Sequence, residues 1–154
     1  MNRRVRLPTS VKLLMGLHFV LGAGALFGGG TLVLDPSGRL PGMPPDLMRV
    51  PVFSNFLIPG LVLFFVLGVG PLGVLFSLAG QKRWKLGEAL NVFKTLHWSW
   101  TFSLYTGFAL IIWITVQMYV LHVASVVHVG YLFLGLLIQT VTLLPSTQDY
   151  YRKT

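Results

Sequence analysis

The chain has 154 residues, of which 54% are hydrophobic and only 10% are charged, and its formal net charge is +8. Soluble domains carry about 25% charged residues, so this composition excludes an ordinary soluble fold and indicates an integral membrane protein. We expect one domain covering residues 1–154, because no hydrophilic stretch is long enough to form a second.

Four apolar segments are each long enough to cross a hydrocarbon layer of about 30 Å. They run approximately over residues 11–34, 56–79, 96–121 and 124–144. We therefore expect an all-α, polytopic membrane protein built as a bundle of four transmembrane helices. Ten basic residues lie on the side of the spans that holds both termini, against two on the other side. This bias predicts cytoplasmic amino and carboxyl termini.

The first span is rich in glycine, within the stretch LGAGALFGGGTLVLDPSG. The spacing differs from the G-x-G-x-x-G of a dinucleotide loop, and the segment is apolar, so we expect no nucleotide as a partner. On a helix, Gly24 and Gly28 form one small-residue flank. A second flank about 120° away consists of His18, Gly22, Ala25 and Gly29. The two flanks predict close packing of this helix against two neighbours.

The outer loop, residues 35–55, contains five prolines and several apolar side chains. We expect an ordered loop over the outer mouth of the bundle, either as a simple connection resting on lipid headgroups or as a lid. Asp46 is placed to cap a single helical turn that ends at Arg49.

The inner connection has features of a segment that lies in the membrane interface. Residues 84–95 place charges on one side and Leu86, Leu90 and Phe93 on the other. Pro71, in VGPLG, predicts a bend in the second span just before this connection. The expected inner aromatic belt consists of Trp84, Trp98, Trp100, Tyr150 and Tyr151.

Two helix faces carry polar residues at helical spacing. The face on the third span consists of Ser99, Ser103, Thr106, Leu110, Trp113 and Gln117. The face on the fourth span consists of His128, Tyr131, Gly135, Gln139 and Thr142. Polar groups cost free energy in lipid, so both faces should point into the bundle. They indicate either hydrogen bonds that fix helix packing or a narrow amphipathic cavity.

The second interpretation supplies a set of candidate ligand-binding residues. These are His18, Ser103, Thr106, Trp113, Gln117, His128, Tyr131 and Gln139. From their depth in the membrane, we expect His18, Ser103 and Gln139 to form one polar cluster with Thr106 and Thr142.

The residues available for catalysis are few. The chain has no cysteine, and its four acidic residues all lie outside the spans, so thiol chemistry and an intramembrane carboxylate are excluded. His97 and His122 are separated by about 37 Å along a helix, which argues against a shared haem. We predict no catalytic residue, no metal site and no cofactor, with haem or quinone as the alternatives.

The layout resembles a known group of proteins. A Gly-rich first span runs into LDPSG, FLIPG opens the second, and LLPSTQDYYRK stands near the carboxyl end. These features are similar to those of an uncharacterised family of small four-span bacterial inner-membrane proteins and, more distantly, of DoxX-like proteins. DoxX-like proteins commonly carry an acidic residue beside glycines in the second span, where this chain reads VLGVGPLG. The resemblance implies a bacterial inner-membrane location and no functional residue.

These patterns predict a non-enzymatic integral membrane protein. We expect it to bind a hydrophobic small molecule, a lipid, or a membrane partner that is another protein or a second copy. The alternatives are a component of a quinone- or haem-linked oxidoreductase and a small transporter. Basic residues flank the spans and do not form one surface, so we expect contact with anionic lipid and no nucleic-acid partner.

The charge bias makes the topology testable. Reporter domains fused after Lys85 or at the carboxyl end should be cytoplasmic, and one inserted near Asp46 should be periplasmic, because basic flanks are retained in the cytoplasm. Protease protection in spheroplasts measures this, and a periplasmic carboxyl end would contradict the four-span topology.

Overall fold

A computed structural model describes residues 7–44, 47 and 53–153. This part of the chain is helical and contains no strand. Its helices are α1 (Thr9–Leu34), α2 (Leu57–Gly80), α3 (Lys85–Ala89), α4 (Trp98–Leu121), α5 (Val126–Leu143) and α6 (Pro145–Tyr151). The helices α1, α2, α4 and α5 are long and apolar enough to cross a membrane. The all-α prediction with four spans is confirmed, and the chain is a multi-pass membrane protein.

The four long helices form a bundle in which each contacts two neighbours. Helix α1 packs against α2 and α5, and α4 packs against the same two helices, so α1 and α4 are diagonally opposite. The start of α1, the end of α2, the start of α4 and the end of α5 share one end of the bundle. We call this the basic end, because Lys82 and Arg83 follow α2 there. The opposite end is the loop end.

The closest helix contact is between α1 and α2, and glycines make it possible. A Cβ atom added to Gly29 would lie 2.6 Å from the backbone nitrogen of Phe64 and 2.9 Å from the carbonyl oxygen of Gly60. One added to Gly22 would lie 2.6 Å from Leu72 Cγ. Real Cβ atoms do not approach other atoms this closely, so the two backbones are in direct contact.

The two glycine flanks differ from the expectation in one respect. Gly22 and Gly29 lie against α2, and a Cβ on Gly24 would lie 2.9 Å from Tyr131 Oη on α5, so α1 does contact two neighbours through small residues. Gly28 is looser, because its added Cβ would lie 3.5 Å from Leu63 Cδ2, an ordinary van der Waals distance. The close approach therefore belongs to Gly22 and Gly29, and the pair Gly24 and Gly28 does not form one tight flank.

Helix α2 is irregular near its middle. Residues Leu63–Val69 are π-helical, between α-helical turns at Leu57–Val62 and Gly70–Gly80. The backbone N–H of Gly70 donates to the carbonyl of Phe65, five residues earlier. Pro71 has no N–H to continue the α-helical pattern, and a π-helical turn accommodates that loss. This widened turn stands directly before Pro71, and the bend of the second span stays a prediction.

Hydrogen bonds within the outer loop and between its two ends order the loop end. The Asp35 carboxylate accepts the backbone N–H of Ser37 at 3.1 Å and of Leu40 at 3.0 Å. The Phe56 N–H donates to the Pro36 carbonyl at 3.0 Å, which brings the start of α2 back to the end of α1. Asn55 Oδ1 accepts the Leu57 N–H at 3.1 Å, as a cap would. The expected Asp46 cap of a turn ending at Arg49 lies outside the described residues.

At the basic end, the expected interfacial segment is helical only over α3. Asn91 follows the end of α3 and fixes the connection to α4. Its side chain is 1% exposed, and its Nδ2 donates to the Leu96 carbonyl at 2.8 Å. Its Oδ1 accepts the backbone N–H of Phe93 and the hydroxyl of Thr101 on α4. Leu86, Leu90 and Phe93 remain exposed, as expected of side chains that face lipid.

The chain after α5 returns across the basic end and closes it. The Tyr151 hydroxyl is buried and donates to the Leu78 carbonyl at 2.7 Å, and the Tyr151 carbonyl accepts the His97 N–H at 2.8 Å. Ser10 and Ser146 hydroxyls lie 2.8 Å apart, which ties α6 to α1. Tyr151 and Trp100 are therefore core residues, each under 3% exposed, and not members of an aromatic belt.

His97 caps the start of α4. Its Nδ1 accepts the backbone N–H of Ser99 at 3.3 Å and lies 2.8 Å from the Ser99 hydroxyl oxygen. Burial lowers the pKa of His97 from its ordinary 6.5, although the Glu88 carboxylate opposes the shift. The cap requires a neutral Nδ1, so the fold favours the unprotonated imidazole.

The glycine contact predicts opposite effects at adjacent positions. Gly29→Ala should lower the free energy of unfolding by about 1–3 kcal/mol, because the methyl group overpacks the α1–α2 contact. Gly28→Ala, the matched control, should be neutral or stabilising by up to about 1 kcal/mol, because alanine favours helix. Thermal unfolding in detergent measures both variants, and equal losses of stability would contradict this interface.

The histidine cap predicts a pH dependence. Since the folded pKa of His97 is lowered, the unfolded chain binds this proton at higher pH, and stability falls as pH drops below about 6.5 toward the folded pKa. His97→Gln should reduce the fall in melting temperature between about pH 7.5 and about pH 5.5. His122→Gln, at an exposed position, is the control and should retain it. An unchanged fall in His97→Gln would show that this cap does not respond to pH.

Candidate ligand-binding sites

The polar residues of the bundle core mostly satisfy one another or their own helices. The hydroxyls of Ser103 and Thr142 lie 2.9 Å apart across the α4–α5 interface, and the Thr106 hydroxyl donates to the Phe102 carbonyl at 2.9 Å. Threonine in a helix commonly returns its hydrogen bond to the preceding turn. The hydrogen bonds of Ser103, Thr106 and Thr142 therefore agree with the interpretation in which polar groups fix helix packing.

The expected cluster of His18, Ser103 and Gln139 is formed only in part. His18 is fully buried, but its Nδ1 donates to the Leu14 carbonyl at 3.0 Å in its own helix. Gln139 packs on Gly107, where an added Cβ would lie 2.6 Å from Gln139 Cγ. His18 Nε2 and Gln139 Nε2 have no partner among the described residues. Ser103 is hydrogen-bonded to Thr142, and among the described residues no direct hydrogen bond joins it to His18 or Gln139.

The two remaining candidates on α5 have structural contacts. His128 Nδ1 lies 2.7 Å from the Ser125 hydroxyl oxygen and accepts the Ser125 backbone N–H at 3.3 Å, so His128 completes a capping box at the start of α5. Tyr131 contacts α1 beside Gly24. Neither residue lines the two concave sites described next.

Trp113 and Gln117 are brought together at the loop end, in a cavity beneath the outer loop. Its other walls are apolar and include Leu32, Met43 and Phe56. The cavity volume is about 40 Å³. A water needs about 10–15 Å³ on this scale and an apolar cavity that binds benzene is about 150 Å³, so the space suits a few waters. Such a water would satisfy Trp113 Nε1, which is buried without a partner among the described residues.

A larger concave site lies between α2 and α4 at the basic end, and we call it the basic-end groove. Its volume is about 450 Å³. Helix α2 contributes Val69, Gly70, Gly73, Val74 and Ser77, and α4 contributes Trp98 and Phe102. Gly70 and Gly73 are exposed, so the groove opens on the outer surface of the bundle, where lipid would lie.

One wall of the groove is concave because side chains are missing from it. A Cβ atom added to Gly73 would have no heavy atom within 4 Å, and one added to Gly70 would meet only the Phe65 carbonyl oxygen at 3.6 Å. The two glycines follow the π-helical turn of α2. The groove therefore runs along α2 from the end of this turn.

The opposite wall is aromatic and rigid. Trp98 packs edge to face with Trp84 at a ring separation of 5.0 Å and with Phe102 at 5.3 Å. Gly87 lies against the two indoles, because an added Cβ would be 2.6 Å from Trp84 and 2.8 Å from Trp98. Trp98 Nε1 donates to the Lys82 carbonyl at 2.8 Å, which fixes the connection after α2 to this wall.

Positive charge lies at the end of the groove nearest the membrane surface. Lys82 and Arg83 line it there, and their side chains are exposed. Two acidic side chains at the basic end are engaged elsewhere, since Glu88 pairs with Lys153 at 2.6 Å and Asp149 with Arg152 at 3.1 Å. No described carboxylate lies within 4 Å of Lys82 or Arg83.

Sequence reasoning missed this groove because it looked for polar residues. The ligand-binding candidates came from the polar faces of α4 and α5, whereas the groove uses the apolar side of α4 that carries Trp98 and Phe102. A signal was present in α2, where Gly70, Gly73 and Ser77 put small residues on one helix face. The sequence offers no way to tell that this face would stay open while Gly68 packs tightly against Leu26.

Metal ligands do not converge in the described part of the chain, where no three His, Asp or Glu side chains could hold one ion. No model of a protein family matches the sequence, and neither the curated proteins nor the solved structures contain a match. The candidate site therefore rests on its own geometry: an open apolar groove with an aromatic wall and a basic end.

Proposed function

We propose that the protein is a non-enzymatic component of a bacterial inner membrane that binds a lipid or a similar amphipathic molecule in the basic-end groove. The observation that carries the proposal is the groove itself, with its volume of about 450 Å³ between α2 and α4. Sites for small ligands are typically about 300–1,000 Å³ and mostly apolar. The groove meets both descriptions.

The position of the groove favours a molecule already dissolved in the bilayer. Val69, Gly70 and Val74 offer apolar surface at the depth of acyl chains, and Lys82 and Arg83 stand where α2 ends. Association within a bilayer is driven by close packing and not by removal of apolar surface from water. A concave wall that a flexible chain can fill supplies such packing.

The rigidity of the aromatic wall supports binding. Trp98 is held by its hydrogen bond to the Lys82 carbonyl and by contacts with Trp84 and Phe102. A wall that is already ordered adds little conformational entropy cost when a ligand binds. The ligand would lose its own freedom, but the protein would not need to rearrange.

The groove lining supports a binding role over catalysis. Its described side chains are aliphatic or aromatic apart from Ser77, Lys82 and Arg83, and no acid–base pair stands among them. The alternative of a quinone- or haem-linked oxidoreductase has less support, because no described His, Asp or Glu side chain lines the groove. The basic end would face the cytoplasm, by the charge bias of the connections.

Filling the groove tests the proposal. Gly73→Leu adds a side chain into open space, so it should lower the number of lipid molecules retained during native mass spectrometry in mild detergent. Gly130→Leu, on α5, is the matched control because its added Cβ also has no heavy atom within 4 Å, and it should retain lipid as the parent protein does. Both variants should keep the parent melting temperature, since leucine favours helix over glycine.

The outcomes of this experiment are clear. Selective loss of retained lipid in Gly73→Leu supports a binding groove. Equal retention in the parent protein and both variants would contradict the proposed function, because the retained molecules would then lie elsewhere on the apolar surface.

A further inference from the structure

We infer that the basic-end groove is selective for anionic phospholipids, with the lipid phosphate held by Lys82 and Arg83. This inference rests on the proposed function and adds the chemical class of the ligand. It concerns the charged end of the groove, which would hold the lipid headgroup. The proposed function rests instead on the apolar part of the groove, which would hold the acyl chain. The two parts can therefore be tested separately.

In the part of the chain that the structure describes, no acidic group neutralises the charge at this end of the groove. Glu88 is engaged by Lys153, whose Nζ lies 2.6 Å from Glu88 Oε2, and Asp149 is engaged by Arg152 at 3.1 Å. Among the described residues, no carboxylate comes within 4 Å of Lys82 or Arg83. An anionic group from outside the chain is the complementary partner.

The two charges directly follow a span, where a phospholipid headgroup would lie. Helix α2 ends at Gly80, and Gln81 takes a left-handed conformation with φ of 44°, which turns the chain out of the helix. Lys82 and Arg83 follow immediately, while the groove continues along the apolar part of α2 toward Val69. This gradient from charged to apolar matches a molecule with one anionic end and a long hydrocarbon tail.

The backbone that carries the charges is fixed to the groove. The Lys82 carbonyl accepts the Trp98 indole N–H at 2.8 Å, and Trp84 packs on the Trp98 ring. The cations therefore cannot move away from the aromatic wall as a flexible loop would. Their exposed side chains remain free to reach a phosphate oxygen, and arginine can contact it with two N–H groups.

Other cations at the basic end differ in position. Lys12 is exposed on α1, and Lys94 Nζ donates to the Glu88 carbonyl at 2.8 Å. Neither lines the groove. They provide a matched control, because removal of these two charges changes the net charge of the protein by the same amount.

The experiment compares lipid selectivity in variants of the full chain. Native mass spectrometry with equal amounts of phosphatidylglycerol and phosphatidylcholine of the same acyl chains gives the ratio bound. A basic residue near a bilayer surface contributes about a fivefold preference for anionic lipid. In the double variant Lys82→Gln with Arg83→Gln, the ratio of bound phosphatidylglycerol to bound phosphatidylcholine should fall about 5- to 25-fold. Phosphatidylcholine should still be retained. The double variant Lys12→Gln with Lys94→Gln should keep the parent ratio.

Each other outcome has a definite meaning. An unchanged ratio in the Lys82 and Arg83 variant, or an equal loss in the control, would overturn the inference and leave the groove as a site for lipid without charge selection. Gly73→Leu should lower binding of both lipids. If it lowers neither, the proposed function fails instead, because the charged residues would then act on surface lipid outside the groove.

Discussion

The contact of α1 with α2 through glycine is the constraint on which the rest of the bundle depends. At Gly29 the two backbones approach so closely that a single methyl group would collide with Phe64. Helix α1 is thus fixed on one side, and its other side packs against α5. Helix α4 then takes the position diagonal to α1. Its contact with α2 near the basic end leaves room for the groove.

Glycine has two opposite roles in α2. Gly68 lies within the tight contact, where an added Cβ would be 2.8 Å from a Leu26 methyl group, whereas Gly73 faces open space one and a half turns later. Gly68 lies within the π-helical turn, and Pro71 stands between the two glycines. A residue without a side chain allows close approach on the first face and leaves a concave surface on the second. The same residue type therefore produces both the most crowded and the most open parts of the helix.

The sequence predicts the four spans well because hydropathy alone determines them. It also predicts that Ser103 and Thr142 face the interior, since helical spacing and the cost of polar groups in lipid leave little choice. It does not predict which helices are diagonal, because that depends on surface shapes of whole helices. For the same reason, the groove was not expected. Tyr151 was placed in an interfacial belt because local composition cannot show that the chain turns back.

That return of the chain has a consequence for biosynthesis. Tyr151, whose hydroxyl holds the Leu78 carbonyl, leaves the ribosome after all four spans have been made. Spans can enter the bilayer one after another, but the link through Tyr151 is added to the Trp98–Lys82 hydrogen bond between α4 and the end of α2 only when this tyrosine has been made. The hydrogen bonds of Tyr151 at the basic end therefore form after the four spans have been synthesised. The last residues of the chain thus complete one end of a bundle whose spans precede them in synthesis.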